Sequence, residues 1–333
     1  MAKDVIVASM DTGKRWSKGG VYDENGEVVR IKHSTSVIGK EGQLGNAIKV
    51  KYKGTTYMVG DDNNVHLSKN SRTGTKLTPE HKISTLTGLA LLIEEAGYDH
   101  IGETFCLGIN VPVTEFKEPK SRQSYEKFYE GEHRIKVGAY EYEFEIKAAY
   151  PLYEGYGTLC RYFEECKDQD VLVINFGSLN TTFVYFEDGI VKKDWTDAFD
   201  NGCNILISQI QSKVNSVYGL NLTEKQIHRI VDGNKIQIAR MDKRDKSIVP
   251  FIHEIIKEEL EIILTRIKDY KIPLEASYMI CTGGGAFMYK KALEEEFNKN
   301  NYDYLISDDP TYDDVEGFLE AAYDIVEEEG DDE

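Results

Sequence analysis

The sequence lacks what disulfide-bonded, zinc-binding and nucleic-acid-binding proteins require. Its five cysteines include no CxxC pair, which argues against a disulfide framework or a zinc site and favours a reducing compartment. Lysine and arginine number 40 against 58 acidic residues, giving a formal net charge of -18. A direct nucleic-acid binder needs a basic surface, so any role at DNA is expected to run through a basic partner.

Long apolar runs are also missing. No segment approaches the length that crosses a membrane, and residues 1–4 lead into a short apolar run without the pattern of a secretion signal. We therefore expect a cytoplasmic protein with no membrane partner.

One pattern of strand, turn, strand and turn occurs twice, about half a chain apart. Residues 5–10 and 171–174 read as buried strands, and each leads through a glycine-bearing turn into a similar hairpin, GVYDENGEVV and FVYFEDGIV. The repetition predicts two similar domains. Strands alternate with helices, among them one that begins at Thr78–Pro79, so we expect an α/β protein. Residues 121–132, polar and rich in tyrosine, are expected to form a surface insertion, and 155–166 a helix.

The first turn contains Thr12-Gly13-Lys14 but is not a phosphate-binding P-loop. The glycine that should precede it is missing, Lys14 is followed by arginine, and a strand follows where a helix should begin. What remains is Asp11, Gly13 and Lys18. Turn N–H groups and Lys18 suit phosphate oxygens, and Asp11 suits a hydrated Mg²⁺ between them. An ordinary hairpin turn is the alternative.

Two later segments offer matching groups. Asn175 and Gly177 begin a second turn that is rich in backbone N–H groups and hydroxyls, and residues 282–285, TGGG, stand between a strand and a helix. Turns from two domains that face each other would hold a polyphosphate from both sides, and successive glycines allow a ligand close to the backbone.

These motifs, in this order, resemble those of the actin-like ATPases, and among them the ParM-type plasmid segregation proteins. Residues 11–18 resemble the family's first phosphate motif, 175–182 its second and 280–286 its adenosine motif. Two further segments are similar to segments of the family: 57–61, YMVGD, and 311–318, TYDDVEGF. A weaker similarity links 229–232 with Lys235 to a ParM helix whose neighbourhood borders the nucleotide. The resemblance implies the actin/Hsp70/sugar kinase fold, with two RNase H-like domains around a nucleotide cleft. They would comprise 1–165 with 305–333, and 166–304.

By this resemblance the ligands are ATP, with GTP as an alternative, and Mg²⁺ held by Asp11. The implied catalytic residues are Asp11, Asn175 and Glu154. The implied nucleotide-binding residues are Thr12, Gly13, Lys14, Lys18, Gly177, Ser178, Asn180, Thr181, Gly202, Lys225, Arg229, Gly283, Gly284, Gly285 and Phe287.

The chain also departs from the family pattern. The second phosphate motif normally begins with aspartate, and here an amide, Asn175, takes that place. Tyr150–Pro151 stands where an acidic or amide residue usually positions the attacking water, and the nearest carboxylate is Glu154. Lys14 replaces a small hydroxyl residue. These departures bear on the hydrolytic residue and on the contacts to the γ-phosphate, and not on the expectation that the chain binds a nucleotide.

The function that the resemblance implies is a nucleotide-driven, filament-forming ATPase. It would segregate plasmid DNA by self-association into helical filaments and through a ParR-type DNA-binding adaptor at a plasmid centromere. Two alternatives stay open. One is a sugar-kinase-like phosphotransferase, for which Asp197 and Asp200 are the available catalytic candidates. The other is a nucleotide-binding filament scaffold with weak hydrolysis.

Overall fold

The computed structural model of the chain describes residues 5–39, 46–60, 75–231 and 245–331. The chain divides into two compact units, Met1–Phe163 with Tyr312–Glu333, and Glu164–Thr311. The segment expected to return to the first domain begins at Tyr312 in this division, not at residue 305. Asp61, Asp232 and Lys235, which belong to the motifs above, lie outside the described residues.

The first unit is built on a mixed nine-stranded sheet with helices on both faces. Its strands are β1 (Ile6–Thr12), β2 (Trp16–Tyr22), β3 (Val28–Ser34), β4 (Val37–Ile38), β5 (Ile48–Tyr52), β6 (Thr55–Val59), β7 (Ile101–Val111), β8 (Gly131–Val137) and β9 (Tyr140–Tyr153). Its helices are α1 (Pro79–Ala96), α2 (Val113–Phe116), α3 (Pro119–Tyr129), α4 (Tyr156–Arg161) and, from the end of the chain, α10 (Asp313–Asp331). The strand order is β3-β2-β1-β7-β9-β8-β5-β6-β4.

Side-chain alternation along β1 determines which helix covers each face. Ala8 and Met10 pack in the core beneath α1, whereas Val7 packs with Leu319 and Ala322 of α10. Successive residues of a strand point to opposite faces, and residues 7–12 of β1 are all buried, so both faces of this strand are covered. β1 runs parallel to β7, and their carboxyl ends therefore lie at the same edge of the sheet.

The predicted start of α1 is confirmed, and its end also follows from a local residue. The Thr78 hydroxyl caps the helix by accepting from the His81 N–H at 3.2 Å, proline occupies the first turn, and Gly97 ends the helix with φ 76°. A positive φ costs glycine little, so both ends of α1 follow from residues that the sequence displays.

The second unit contains a smaller sheet, in the order β12-β11-β10-β14-β15, with β13 paired to β11. Its elements are α5 (Phe163–Cys166, which begins at the unit boundary), β10 (Asp170–Phe176), β11 (Thr181–Glu187), β12 (Ile190–Val191), β13 (Asp197–Phe199), α6 (Cys203–Tyr218), α7 (Glu224–Val231), α8 (Asp245–Asp269), β14 (Ser277–Thr282), α9 (Ala286–Asn300) and β15 (Tyr304–Ile306). Because β15 pairs with β14, residues 305–306 belong to this sheet and not to the closing segment of the first unit.

The two hairpins inferred from the sequence have the same construction. In β1–β2, Asp11 lies opposite Lys18, and in β10–β11, Asn175 lies opposite Thr182, so residue i pairs with i+7 in both. The Gly13 N–H donates to the Trp16 carbonyl at 2.9 Å, and the Gly177 N–H to the Asn180 carbonyl at 2.9 Å. Each first strand also pairs in parallel with a later strand, β7 or β14. The predicted repeat of this motif is confirmed.

Two local predictions were wrong. The segment 121–132 is not a surface insertion: it lies mainly in α3, and both Tyr125 and Tyr129 are buried. Their spacing of four residues places them on one helical face, a signal that the surrounding charges obscured. The segment 155–166 is not one helix but two short ones, α4 and α5, interrupted at Tyr162.

A contact between two glycines joins the last helix of the chain to α4. A Cβ atom added at Gly317 of α10 would overlap the carbonyl of Gly157, and one added at Gly157 would overlap the carbonyl of Asp314. Backbone atoms cannot rotate away as a flexible side chain can, so both positions require glycine. Gly317, which the sequence placed in a family-like closing segment, thus allows α10 to pack directly on α4.

Replacing Gly317 with alanine is expected to destabilise the first unit by about 1–3 kcal/mol, the usual cost of overpacking, seen as a lower urea midpoint. Gly330→Ala is the matched control, because it lies on the same helix with no neighbouring atom within 4 Å. We expect it to shift stability by no more than ~1 kcal/mol, in the favourable direction. Equal midpoints for the two variants would contradict the contact argument.

Candidate functional site

The first group of polar side chains lies where β1 and β7 end. Asp11 is buried and both of its carboxylate oxygens are engaged: the Lys18 ammonium donates to Oδ2, and the Asn110 side-chain amide donates to Oδ1. Burial acts to lower the pKa of Lys18, but the charge of Asp11, assisted by Asp314 and Glu154, raises it above its usual value. The strand end therefore presents a protonated lysine held by a buried carboxylate.

The hydroxyl of Thr12 anchors the same turn to α1. It lies 2.9 Å from the Thr85 hydroxyl and 3.1 Å from the Ser17 hydroxyl. Gly13 directs its N–H inward to the turn carbonyls of Asp11 and Trp16. The backbone at this turn is therefore fixed on both sides by hydrogen bonds.

Glu154 follows β9 and forms an ion pair with Lys76, at 2.9 Å between Nζ and Oε1. The Lys76 N–H donates to the Tyr125 hydroxyl at 3.0 Å, so α3 helps to hold this lysine in place. Burial, together with the charges of Lys76 and Lys14, lowers the pKa of His81 to about 3. The start of α1 thus carries two lysine charges beside a neutral histidine.

Asp314 connects this group to the C-terminal helix. Its carboxylate accepts hydrogen bonds from the N–H groups of Gly155 and Thr158, at 3.1 and 3.0 Å, and from the Thr158 hydroxyl at 2.8 Å, so it caps the start of α4. Burial, with the charge of Asp11 as the second cause, raises the pKa of Asp314 to about 6. A carboxyl group that titrates close to neutrality thus lies within electrostatic reach of Asp11.

In the second unit the corresponding turn is uncharged. Asn175 and Thr182 occupy the places that Asp11 and Lys18 have in the first hairpin. The carbonyls of Gly177, Ser178 and Leu179 accept from the first N–H groups of α6 and the residue before it, at 2.9–3.2 Å. Within the described part of the chain, no hydrogen bond uses the N–H of Ser178, Leu179 or Asn180. Three backbone donors of this turn are therefore available.

The triple glycine packs closely against the second turn. A Cβ atom at Gly283, whose φ is +86°, would overlap Asn175 Oδ1, and one at Gly285 would overlap the Cys203 sulfur and come within 2.8 Å of the Phe176 carbonyl. The Gly285 N–H donates to that carbonyl at 2.9 Å. Gly284 is exposed, with nothing nearer than 4.0 Å to an added Cβ. The starts of α6 and α9 consequently meet at the end of β10, and helix N-termini favour anions.

The structure brings most of the predicted residues together within their own units. Asp11, Thr12, Gly13, Lys18 and Glu154 lie around one end of the first sheet. Residues 175–182, 202 and 283–285 lie around one end of the second. Lys225 and Arg229 are exposed on α7, on the side away from its buried Ile227 and Ile230. Their connection to this end runs through His228, whose ring lies 5.1 Å from that of Phe287.

Sequence reasoning missed several members of these groups. Asn110 and Lys76 contact predicted residues, yet neither stands in a motif that resembles the family. Asp314 stands in the family-like segment 311–318, but the sequence assigned it no role. The sequence offers one signal for Asn110, an amide near the end of the apolar run 104–113. Tyr150 was considered for its position beside Pro151, but it packs with Val7 and α10 and donates to Glu329 at 2.8 Å.

A metal site formed by protein ligands alone is not found in the described ranges: no three His, Cys, Asp or Glu side chains there could hold an ion. A Mg²⁺ ion that takes its remaining ligands from phosphate and water needs only one or two carboxylates, and the carboxylate of Asp11 fits that lesser demand. None of the helices in the described ranges is both long and apolar enough to span a bilayer.

Residues 9–157 match a family model described as the N-terminal domain of actin like proteins. A search of curated protein sequences found no match. Solved structures match over nearly the whole chain. The Alp12 filament structure is 21% identical with a TM-score of 0.71, covering 97% of this chain and 100% of that one. The archaeal actin homolog Ta0583 is 15% identical with a TM-score of 0.75, and the match covers 96% of this chain and 100% of that one. Bacillus thuringiensis ParM with ATP is 13% identical with a TM-score of 0.70, and the match covers 98% of this chain and 100% of that one.

The chain therefore has the actin-like fold, and this prediction from the sequence is confirmed. More specifically, its residues 9–157 are similar to the N-terminal domain of actin like proteins, in agreement with the family that its motifs resemble.

Replacing Asp314 with asparagine is expected to change how stability depends on pH. The folded pKa of about 6 exceeds the ordinary aspartate value of about 3.9. The protonated Asp314 carboxyl therefore contributes fully to folding stability below pH ~4, and that contribution is lost as pH rises through ~6. Asparagine keeps an acceptor for the α4 cap without the charge. Asp314→Asn should gain stability relative to the unmodified protein between pH 4 and pH 8, on the order of 2 kcal/mol. Urea unfolding at both pH values measures it, and a pH-independent difference would contradict the assignment.

Proposed function

We propose that this protein is a cytoplasmic ATPase that binds ATP with Mg²⁺ and uses it to drive assembly into helical filaments. The observation that carries the proposal is the repeated hairpin. One copy ends in a buried Asp–Lys pair, and the other in a neutral turn with three unused backbone N–H groups. A charged metal-binding end and a set of neutral phosphate donors are complementary requirements of one nucleotide.

In the first unit, Lys18 and Asp11 would hold the phosphate end of the nucleotide. Asp11 fits Mg²⁺, which would neutralise phosphate charge when bound. Asn110 keeps the Asp11 carboxylate oriented through Oδ1. A lysine whose pKa is raised stays protonated across the physiological range, so Lys18 can supply a positive charge to a phosphate oxygen. Lys14 adds a second positive charge near the start of α1.

In the second unit, the N–H groups of Ser178, Leu179 and Asn180 would donate to phosphate oxygens. Gly283–Gly285 would let the nucleoside approach the backbone, since Gly284 is open and side chains on its neighbours would clash with the turn. Phe287, stacked near His228, would border the base. Lys225 and Arg229 would lie at the exposed edge of this part of the site.

Hydrolysis would depend on positioning and on charge neutralisation, as in phosphoryl transfer generally. Glu154 is our candidate for orienting the attacking water. It lies close enough to influence Lys18 electrostatically, and its ion pair with Lys76 holds the side chain. Asn175 would assist by hydrogen bonding alone, since an amide carries no charge.

Assembly and adaptor use are supported by likeness and by charge. The structures that match include a filament of Alp12 and a ParM with ATP. Head-to-tail contacts between identical subunits that do not close produce an open helix. The net charge of -18 favours a basic, ParR-type adaptor over direct contact with DNA. Plasmid segregation through such an adaptor is the role we propose.

A filament scaffold with weak hydrolysis is a second candidate. The neutral Asn175 and the pairing of Glu154 with Lys76 favour it, since each reduces the free carboxylate charge near the nucleotide. The sugar-kinase alternative has less support. Asp197 accepts the Ala198 N–H at 2.8 Å and the Tyr270 hydroxyl, so its carboxylate already has a structural use, and Asp200 is exposed.

Replacing Asp11 with asparagine tests the proposed metal role. The variant keeps the shape of the side chain but removes its charge and releases Lys18 for phosphate. We expect the Mg²⁺-dependent part of ATP affinity to fall by about 10-fold or more, while affinity in EDTA stays equal or rises. Calorimetric titration with and without Mg²⁺ measures both. Asp23→Asn, in the exposed turn of the adjoining β2–β3 hairpin, should change neither, and an unchanged Mg²⁺ dependence in Asp11→Asn would refute the role.

Assembly and hydrolysis can be separated in one experiment without any sugar present. We expect Mg-ATP to raise light scattering in proportion to protein concentration above a threshold, followed by phosphate release. Scattering without phosphate release would support the scaffold instead. If neither occurs at high protein concentration, with ATP or with GTP, the filament proposal fails.

A further inference from the structure

A buried carboxylate lies in the middle of α8, where the neighbouring side chains are apolar. Glu259 is 1% exposed, and no lysine, arginine or histidine in the described ranges forms an ion pair with it. Two neutral amides donate to it instead: Asn201 Nδ2 to Oε1 at 2.6 Å, and Gln209 Nε2 to Oε2 at 2.9 Å. Burying a charge without a cation is costly, so this arrangement requires a reason.

Apolar packing alone would not require a carboxylate at this position. Its neighbours along α8 include Ile255, Ile256, Leu260 and Ile263, all buried in one core. Replacing buried charged groups with apolar ones of similar size is often neutral or stabilising. The carboxylate is therefore better explained by what its two oxygens hold than by the stability of the core.

The first partner, Asn201, is fixed in its backbone as well as its side chain. Its carbonyl accepts the Thr181 hydroxyl at 2.7 Å, and its N–H donates to the Phe199 carbonyl at 2.8 Å. Asn201 thus ties the start of β11 to α8 just before α6 begins. The second partner, Gln209, lies within α6, so Glu259 holds that helix at its start and in its body.

The start of α6 in turn holds the second turn. The N–H groups of Gly202, Cys203 and Asn204 donate to the carbonyls of Leu179, Gly177 and Ser178, at 3.2, 3.0 and 2.9 Å. Any side chain at position 202 would overlap the backbone of residues 178–179. The turn rests directly on the backbone that Asn201 and Glu259 fix, so a shift of one displaces the other.

We propose that Glu259 is a positioning residue for phosphate binding: by holding Asn201 and Gln209, it fixes the start of α6 and hence the backbone donors at Ser178, Leu179 and Asn180. The inference rests on the proposed function for its ligand but not for its geometry. Glu259 touches no substrate, and its effect passes through two hydrogen-bonded steps. Burying the carboxylate is unfavourable, and the two hydrogen bonds that it accepts would make the turn more rigid.

Variants at both ends of the link test the proposal in the full-length chain. Glu259→Leu removes both hydrogen bonds, and Glu259→Gln, which retains one acceptor oxygen, covers the case in which the leucine variant folds poorly. We expect the ATP dissociation constant to rise by about tenfold in Glu259→Leu and less in Glu259→Gln. Adenosine, which has no phosphate, should bind all forms equally. Calorimetric titration measures both ligands.

A double-mutant cycle identifies the route. Asn201→Ala should reproduce the loss of ATP affinity, and Glu259→Leu/Asn201→Ala should add little to it, because residues in one network are not additive. Ile263→Val, in the same helix and core, is the control for a loss of stability alone and should leave ATP affinity unchanged. If Glu259→Leu weakens ATP and adenosine equally, or behaves as Ile263→Val does, the proposal is overturned.

Hydrogen exchange separates this inference from the proposed function. The N–H groups of Gly202, Cys203 and Asn204 should exchange about tenfold faster in Glu259→Leu than in Ile263→Val, with no nucleotide present. Should the unmodified protein bind no nucleotide, the proposed function fails, and faster exchange still supports the positioning role. Unchanged exchange at these three residues refutes the positioning role whatever the protein binds.

Discussion

Both units depend on one constraint, the hairpin in which a strand residue lies opposite the residue seven positions later. A glycine two places beyond the first of the pair turns its N–H inward and closes the turn at 2.9 Å, in the first unit at Gly13 and in the second at Gly177. This closure places a polar residue near the end of a buried strand, Asp11 or Asn175, at the edge of its sheet. Each parallel neighbour, β7 or β14, ends at the same edge, and the remaining groups collect there.

The same backbone serves two different electrostatic purposes. In the first unit the facing pair is charged. The charge of Asp11 raises the pKa of Lys18 against the effect of burial, and it adds to burial in raising the pKa of Asp314. In the second unit the facing pair is an amide and a hydroxyl, Asn175 and Thr182. The hydrogen-bond donors that remain available there are backbone N–H groups. Two like turns would duplicate one function. In the proposed function, the charged turn would serve the metal and the neutral turn would serve the phosphates.

The parts of the fold that could be predicted are those governed by local residues. Thr78 and Pro79 start α1 and Gly97 ends it, because capping needs only the residues beside the helix end. The repeated hairpins were visible for the same reason. The burial of Tyr125 could not be read in this way, because its ring is covered by elements distant in the chain, and the charged residues of α3 suggested a solvated segment.

The candidate site divides along the same line. Asp11, Gly13, Lys18 and the glycines at 283–285 stand in short motifs, so their spacing carried the signal. Asn110 lies 99 residues from the carboxylate to which it donates, and no spacing rule connects the two. Asp314 acts at the start of α4 from a helix at the other end of the chain. Contacts of this kind follow from strand order and helix packing, which a single sequence does not specify.

The C-terminal helix shows why such distant contacts matter for the site. Gly317 lets α10 approach α4 until their backbones touch, and that approach delivers Asp314 to the N–H groups of Gly155 and Thr158. The carboxyl group satisfies them, and its burial there, with the charge of Asp11 as the second cause, raises its pKa. The packing of α10 on α4 therefore determines where the Asp314 carboxyl group lies, and its electrostatic effects follow from that position. A contact between two glycines thus positions the carboxyl group that lies within electrostatic reach of Asp11.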